Sequence, residues 1–192
     1  VECAALAHLV LFVKVEWADT AVAAGGLLAF CQAAGAAGKP LSGLVSDRLL
    51  GGRRKVALLA LTALAGAACA MLALIGAGQT WLLWTALALM GIGAVGWGGL
   101  FGTLAGETAG PGAAGAAAGV TAGINNLGIL VGPIIFGWIV DLTGSYAPAW
   151  WAMFGVAVLA AVTLAFVREP ESVSSWSGVR GASRSAKAQD DA

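Results

Sequence analysis

The sequence predicts an all-α integral membrane protein with six transmembrane helices, and its composition and charge distribution carry this prediction. Of the 192 residues, 59% are hydrophobic and only 10% are charged, whereas about a quarter of the residues in a soluble domain are charged. Between Val56 and Val167 the only charged side chains are Glu107 and Asp141. A water-soluble protein needs polar groups over its surface, so such a stretch belongs in a lipid bilayer.

Six apolar segments approach the length of about 20 residues that a spanning helix needs, and they lack the alternation of barrel strands. The predicted spans are Val1 to Trp17, Thr20 to Val45, Val56 to Ile75, Trp81 to Ala105, Ala113 to Val140 and Ala149 to Val167. The first span is short, and we expect it to be truncated at its beginning. Together the spans predict a bundle over residues 1–168, followed by a polar tail over 169–192 that we expect to be disordered.

The arginine and lysine residues predict the orientation of these helices, because such residues favour cytoplasmic loops. They cluster after the second span and in the tail: Arg48, Arg53, Arg54, Lys55, Arg168, Arg180, Arg184 and Lys187. Six spans put both clusters on one side, which we therefore expect to be cytoplasmic. We expect a multi-pass protein of the bacterial inner (plasma) membrane with a cytoplasmic carboxy terminus.

The pattern G-x4-G-x3-D occurs twice, over Gly38–Asp47 and over Gly132–Asp141. Each copy ends the middle helix of a three-helix unit, and six spans place the two ends on opposite sides of the membrane. The prediction is therefore two inverted three-helix repeats, which are typical of transporters with a midplane substrate site. The alternative is that glycine, proline and aspartate are simply common at helix ends.

A spaced set of glycine, aspartate and arginine residues follows the second span. Its members are Gly43, Asp47, Arg48, Gly52, Arg53 and Arg54. With a two-residue insertion, this set resembles the loop signature G-x-x-x-D-R-x-G-R-R/K of the major facilitator superfamily. The segments 96–99 and 125–144 also resemble bacterial members. Because four spans follow the signature, the chain resembles the carboxy-terminal six-helix half of such a transporter.

The resemblance implies secondary active transport of a small solute by alternating access, beside an amino-terminal six-helix half. It also implies that Asp47 and the arginines of the loop join a cytoplasmic ion-pair gate, although a purely topogenic cluster would explain the same charges. A half-size transporter acting as a homodimer and a non-transporting sensor or scaffold remain alternatives. The expected partners are the solute, co-transported protons and the bilayer, and a net charge of zero gives no basic field for nucleic acid.

We expect no enzyme activity, no cofactor and no metal site. The chain has a single histidine and no GxSxG motif, and its three cysteines form no CxxC pair. A literal GxGxxG occurs at Gly91–Gly96, but it lies mid-span without the βαβ context of a dinucleotide site. We interpret these glycines, together with Gly98, Gly99 and Gly102, as points of close helix packing.

Ionisable groups within a bilayer are costly and suggest function by default. If Trp17 marks the outer interface, His8 lies about 13 Å deeper, near the midplane. We therefore name His8 and Glu2 as candidates for proton coupling. The alternative for His8 is a neutral, hydrogen-bonded packing residue.

Neutral polar side chains within the spans are the candidates for substrate binding. They are Asn125, Asn126, Gln32, Trp97 and Thr121. An unpaired amide in hydrocarbon costs several kcal/mol, so each must face protein, water or solute. Asn125 is favoured over Asn126 because it shares a helix face with Thr121. Interhelical hydrogen bonding, worth about 0.6 kcal/mol on average, is the alternative for the amides, and Trp97 is expected either to enter the cavity or to fill a gap between helices.

Overall fold

A computed structural model describes residues 1–17, 20–48, 50, 53–76, 78–109 and 112–167. Over these ranges the chain is helical and contains no strand. The helices are α1 (Glu2–Glu16), α2 (Ala21–Arg48), α3 (Arg54–Leu74), α4 (Thr80–Met90), α5 (Gly98–Ala109), α6 (Ala114–Thr143) and α7 (Ala147–Phe166). A π-helical turn, Gly91–Val95, joins α4 to α5.

Five helices in the described part of the chain are long and apolar enough to cross a membrane. They are α2, α3, the continuous stretch Thr80–Gly106, α6 and α7. Helix α1 has 15 residues, so its length of about 22 Å is less than the hydrocarbon thickness of about 30 Å. The predicted all-α membrane architecture is therefore supported by five full-length helices, and α1 is as short as the sequence indicated.

The ends of the helices differ from the predicted bounds where local chemistry decides them. Helix α2 ends at Arg48, three residues beyond the predicted span, and Asp47 lies in its last turn, as expected for a pattern that ends the helix. Helix α6 ends where Gly144 adopts a left-handed conformation with φ of 66° and its N–H donates to Val140 O at 2.8 Å. Glycine accepts this conformation without the strain that a Cβ would bring, so it terminates the helix.

The predicted span Trp81 to Ala105 is not a uniform α-helix, because the π turn interrupts it at the GxGxxG segment. A Cβ added at Gly91 would collide with the backbone oxygen of Cys31 on α2, and one at Gly93 would lie 2.5 Å from the backbone N of Ala65 on α3. The glycines thus let three helices approach at backbone contact. This confirms the predicted close packing at Gly91–Gly96.

The same prediction is wrong for the three glycines that follow. A Cβ at Gly98, Gly99 or Gly102 would meet no atom within 4 Å. On α5 the buried positions are instead Leu100 and Leu104. The three glycines therefore make no close contact with the described neighbours.

The helices pack in a pattern that links the two halves of the chain. Helix α2 lies against α4 and the π turn, α6 lies against α1 and α5, and α3 lies along α7. The main core is formed where α1, α2, α3, α4 and α7 meet, and Phe136 of α6 also belongs to it. Helix α6 is peripheral: within Ala114–Thr143, all of which the structure describes, only Phe136 is buried.

Candidate functional site

A cavity of about 590 Å³ lies between α1, α3, α5, α6 and α7. Three of the candidate residues line it together, Glu2 from α1, Trp97 from the segment after the π turn, and Asn125 from α6. Most of its remaining wall is aliphatic. The cavity therefore has the character of a small-molecule site, in which a few polar groups are set into an apolar surface.

Glu2 and Trp97 are joined directly inside the cavity. The indole Nε1 of Trp97 donates a hydrogen bond to Glu2 Oε2 at 3.1 Å. The Trp97 ring also meets Phe101 edge to face, with centroids 5.3 Å apart. Trp97 thus lies in the cavity wall, one of the two arrangements that the sequence left open.

The other four candidate residues do not line the cavity: Gln32, Asn126, Thr121 and His8. Gln32 and Asn126 are exposed, as Asn125 also is, but neither of them lines the cavity. Thr121 donates its hydroxyl to Ala117 O at 2.8 Å and to Ala118 O at 3.0 Å, within its own helix. Of the two adjacent asparagines, only the one favoured from the helix face, Asn125, borders the cavity. The fourth, His8, contacts α6 through a hydrogen bond and a ring contact.

His8 lies against α6 rather than in the cavity. With its proton on Nε2, it donates to Pro133 O at 3.0 Å. Its ring stacks on Phe136, with centroids 4.7 Å apart and planes 22° apart. Gly137 leaves the room for this ring, because a Cβ there would lie 3.2 Å from His8 Cε1. His8 therefore fastens α1 to α6 through both a hydrogen bond and a ring contact.

An aromatic cluster continues from His8 toward the junction of α6 and α7. Phe136 meets Trp150 at 5.0 Å, and Phe12 meets both Trp150 and Tyr146 at 5.5 Å. Such edge-to-face pairs add about 0.5–1.5 kcal/mol beyond their burial. Trp150 is completely buried, so it belongs to the core and not to a lipid-facing aromatic belt.

Burial raises the pKa of Tyr146 above its ordinary value of 10.0, and the negative charges of Glu16 and Asp141 raise it further. Tyr146 lies just before α7, outside the spanning helices. Its phenol is therefore stabilised in the neutral form at the end of the bundle where the aromatic cluster finishes.

At the other end of the bundle, two residues of the loop signature form an ion pair. Arg54 Nη1 lies 3.8 Å from Asp47 Oδ1, and the Asp47 side chain is 63% exposed. Arg48 and Arg53 are exposed, and a methyl group added at Gly43 would meet no atom within 4 Å. Gly52 and the predicted tail over 169–192 lie outside the described residues.

The sequence missed the role of Lys55, which follows this signature. Its Nζ donates to Ala165 O at 2.6 Å and to Val167 O at 2.8 Å. A basic side chain is unfavourable at the start of its own helix but favourable at the carbonyl end of another. Lys55 thus connects the beginning of α3 to the end of α7. Only the tertiary pairing of these two helices could have revealed the contact.

Three further residues of the cavity wall were also missed: Thr62, Phe101 and Thr163. Each lies in an otherwise apolar stretch of helix and carries no pattern that separates it from a packing residue. The described residues contain no cluster of three or more His, Cys, Asp or Glu side chains able to hold a metal ion.

Comparison with protein-family sequence profiles matches residues 5–189 to the Major Facilitator Superfamily. The match covers nearly the whole chain, including almost all of α1, every later helix and the loop signature. No curated protein sequence matches the chain.

Proposed function

The chain belongs to the Major Facilitator Superfamily, and from this premise we propose that it forms the carboxy-terminal six-helix half of a secondary transporter. The family consists of multi-pass membrane transporters, so the function is transmembrane transport of a small solute in a lipid bilayer. We infer further that transport proceeds by alternating access and that an amino-terminal six-helix half completes the solute path.

Two inverted three-helix repeats are part of this proposal, with α1 to α3 as one unit and the stretch from α4 to α7 as the other. The packing pattern supports them. The middle helix of each unit, α2 or α6, lies against the first helix of the other unit, and the two last helices, α3 and α7, lie along each other. These are the pairings that a two-fold pseudo-symmetry between the two units would require.

The observation that carries the transport proposal is the cavity itself. Its wall combines α1 and α3 of one unit with α5, α6 and α7 of the other. A relative movement of the two units would therefore change the shape and access of the cavity. The glycine contacts at Gly91 and Gly93 allow close approach of α2 and α3 to the π turn, where such movement would be concentrated.

Within this proposal, Asn125, Trp97 and Glu2 contact the solute, and Glu2 is the group that exchanges a proton when protons are co-transported. His8 acts by fastening α1 to α6. The Asp47 and Arg54 pair closes the cytoplasmic side in one state. Residues 1–168 form the transmembrane unit in the bacterial inner membrane, and residues 169–192 form a cytoplasmic tail.

The inverted topology is tested by labelling single cysteines. In a chain whose three native cysteines are replaced by alanine, Asp47→Cys and Asp141→Cys are introduced one at a time. An impermeant maleimide added to intact cells is expected to label the Asp141 variant alone, and the Asp47 variant only after the cells are opened. Labelling of both from one side contradicts the inverted repeat.

Transport is tested in liposomes that contain the chain alone or joined to the residues encoded upstream of Val1. Uptake of labelled sugars, amino acids, carboxylates and organic cations is measured under proton and sodium gradients. We expect Asn125→Ala to abolish most of the uptake, while Asn126→Ala, which removes an amide outside the cavity, retains it. Uptake by the chain alone favours the homodimer, and no uptake in either form contradicts transport.

A further inference from the structure

The polar side chains that line the cavity are few, and the charge that the described ones carry has one sign. Among the described residues that line it, Glu2 is the one acidic side chain, and none is lysine, arginine or histidine. Two hydroxyls in the wall are already engaged: Thr62 donates to Leu58 O at 2.8 Å, and Thr163 donates to Leu159 O at 3.0 Å. The side-chain charge that a ligand meets is therefore negative.

Two polar groups in the wall remain available to a ligand. One oxygen of Glu2, Oε2, accepts from Trp97, whereas Oε1 has no hydrogen-bond partner among the described residues. The Asn125 amide likewise has none within the described chain and borders the cavity. A carboxylate oxygen only accepts hydrogen bonds, so the group that satisfies it must be a donor or a cation.

The aromatic side chains strengthen the preference for positive charge. The N–H of Trp97 is engaged by Glu2, and Phe101 meets the indole ring at 68° between the planes. Both rings line the cavity beside the carboxylate. Aromatic faces attract cations by about 0.5–2 kcal/mol, with the larger value in desolvated sites.

We propose that this cavity takes an organic cation with an apolar body. The proposal rests on the transport function proposed above and names the substrate class of the same site. A carboxylate in an apolar wall is costly when it is unpaired. A bound cation offsets that cost, whereas an anion of the same size adds repulsion. The apolar remainder of the wall accommodates the hydrophobic body, and the volume of about 590 Å³ suits a drug-sized molecule.

The test compares two probes of the same shape and opposite charge, tetraphenylphosphonium and tetraphenylborate. Their binding to the detergent-solubilised chain is measured by equilibrium dialysis, with the amine of Val1 acetylated because Val1 also lines the cavity. Tetraphenylphosphonium is expected to bind at least about tenfold more tightly than tetraphenylborate.

The variants locate the charge that discriminates between the probes. Glu2→Gln is expected to weaken tetraphenylphosphonium binding at least about tenfold and to leave tetraphenylborate binding unchanged or stronger. Trp97→Leu is expected to weaken tetraphenylphosphonium binding less than Glu2→Gln does, because the carboxylate remains. Glu16→Gln, which removes the same charge from the other end of α1, is the matched control and is expected to bind as the unmodified chain does.

A second measurement needs no substitution and stays informative if Glu2→Gln does not fold. Cys3 lines the cavity and is half-buried, whereas Cys31 and Cys69 are buried. Tetraphenylphosphonium is therefore expected to slow maleimide alkylation of Cys3, and tetraphenylborate is not. Equal protection by both probes, or by neither, overturns the proposal.

The outcomes separate this inference from the proposed function. Charge-selective binding that depends on Glu2, without flux in liposomes, supports the cation site and contradicts transport. Flux of another solute with no binding of tetraphenylphosphonium supports transport and overturns the cation site. Tetraphenylphosphonium binding that Glu2→Gln leaves unchanged also overturns it.

Discussion

Helices α2 and α6 carry the same G-x4-G-x3-D pattern near their ends, yet they pack very differently. In the most apolar window of α2, 28% of the residues are buried, compared with 6% in that of α6. At Gly38 an added Cβ would lie 3.2 Å from the backbone Cα of Ile92, whereas at Gly132 it would lie 3.5 Å from the side chain of Ala4. The first helix meets backbone, and the second meets a side chain.

The difference shows that the repeated pattern does not by itself determine how closely a helix packs. The residues of the helix that faces it also determine the packing. Helix α2 faces the π turn, where Gly91 lets the backbone of Cys31 and Gly35 approach closely. Helix α6 faces α1, which carries His8, Ala4 and other side chains at the contact. The exposed apolar face of α6, which includes Val120, Leu127 and Ile134, is left to contact lipid, the solute path or the proposed partner half.

The largest effect on folding is expected at Gly91, where the π turn contacts the backbone of α2. In Gly91→Leu the new side chain would collide with the backbone of Cys31 and Gly35. Because backbone atoms cannot move aside as a flexible side chain can, we expect this variant not to fold. The matched control is Gly123→Leu on α6, where an added Cβ meets no atom within 4 Å. Size-exclusion profiles and thermal melting in detergent measure both. Equal behaviour of the two variants would erase the contrast between the helices.

The second largest effect on stability is expected at Phe136, the buried residue of α6. Phe136 is completely buried between His8 and Trp150, so Phe136→Ala is expected to destabilise the chain by about 3–5 kcal/mol through the lost contacts and the cavity left behind.

The control for this prediction is Ile134→Ala, at a position that is 65% exposed on the same helix. It is expected to change stability by less than about 0.5 kcal/mol. Denaturant titrations followed by near-ultraviolet circular dichroism compare the two variants. A small effect of Phe136→Ala would mean that α6 is held by contacts other than the aromatic cluster.

A smaller effect is expected at the aspartate that ends the first copy of the pattern. Because Asp47 and Arg54 are 3.8 Å apart and the aspartate is largely exposed, their coupling should be below about 1 kcal/mol. A double-mutant cycle with Asp47→Asn and Arg54→Gln measures it at low and high salt. A salt-insensitive coupling of about 2 kcal/mol or more would instead indicate a buried gate.

The helices and their apolar faces could be predicted from the sequence because hydrophobic length and charge placement determine them locally. Asn125 and Trp97 could each be named as a candidate from the sequence. That they line one cavity could not be predicted, because α6 and the segment after the π turn come together only through tertiary packing. His8 shows the same limit: its depth was predictable from α1, but the proline carbonyl and the Phe136 ring that engage it belong to a distant helix. The π turn was missed because the segment around Gly91–Val95 is apolar on every side, so the extra residue of the turn displaces no polar face that the sequence could reveal.

The smallest effect appears only at alkaline pH, at the packed end of α6. The pKa of Tyr146 is raised from 10.0 by burial and by the charges of Glu16 and Asp141. The folded chain therefore holds the phenol proton more tightly than the unfolded chain, and this contribution to stability is complete below about pH 10. It is lost as the pH rises through the higher folded value, so unfolding becomes easier in that window.

Tyr146→Phe should remove this alkaline loss, and Asp141→Asn should reduce it by removing one of the two charges. Phenolate absorbance gives the titration, and thermal melting at a series of pH values gives the stability. The chain has a single tyrosine, so the absorbance change belongs to this residue alone. If Tyr146 instead ionised at its ordinary value, its phenol would not be buried beside Glu16 and Asp141 in solution, and the weak packing of α6 would extend to the end of that helix.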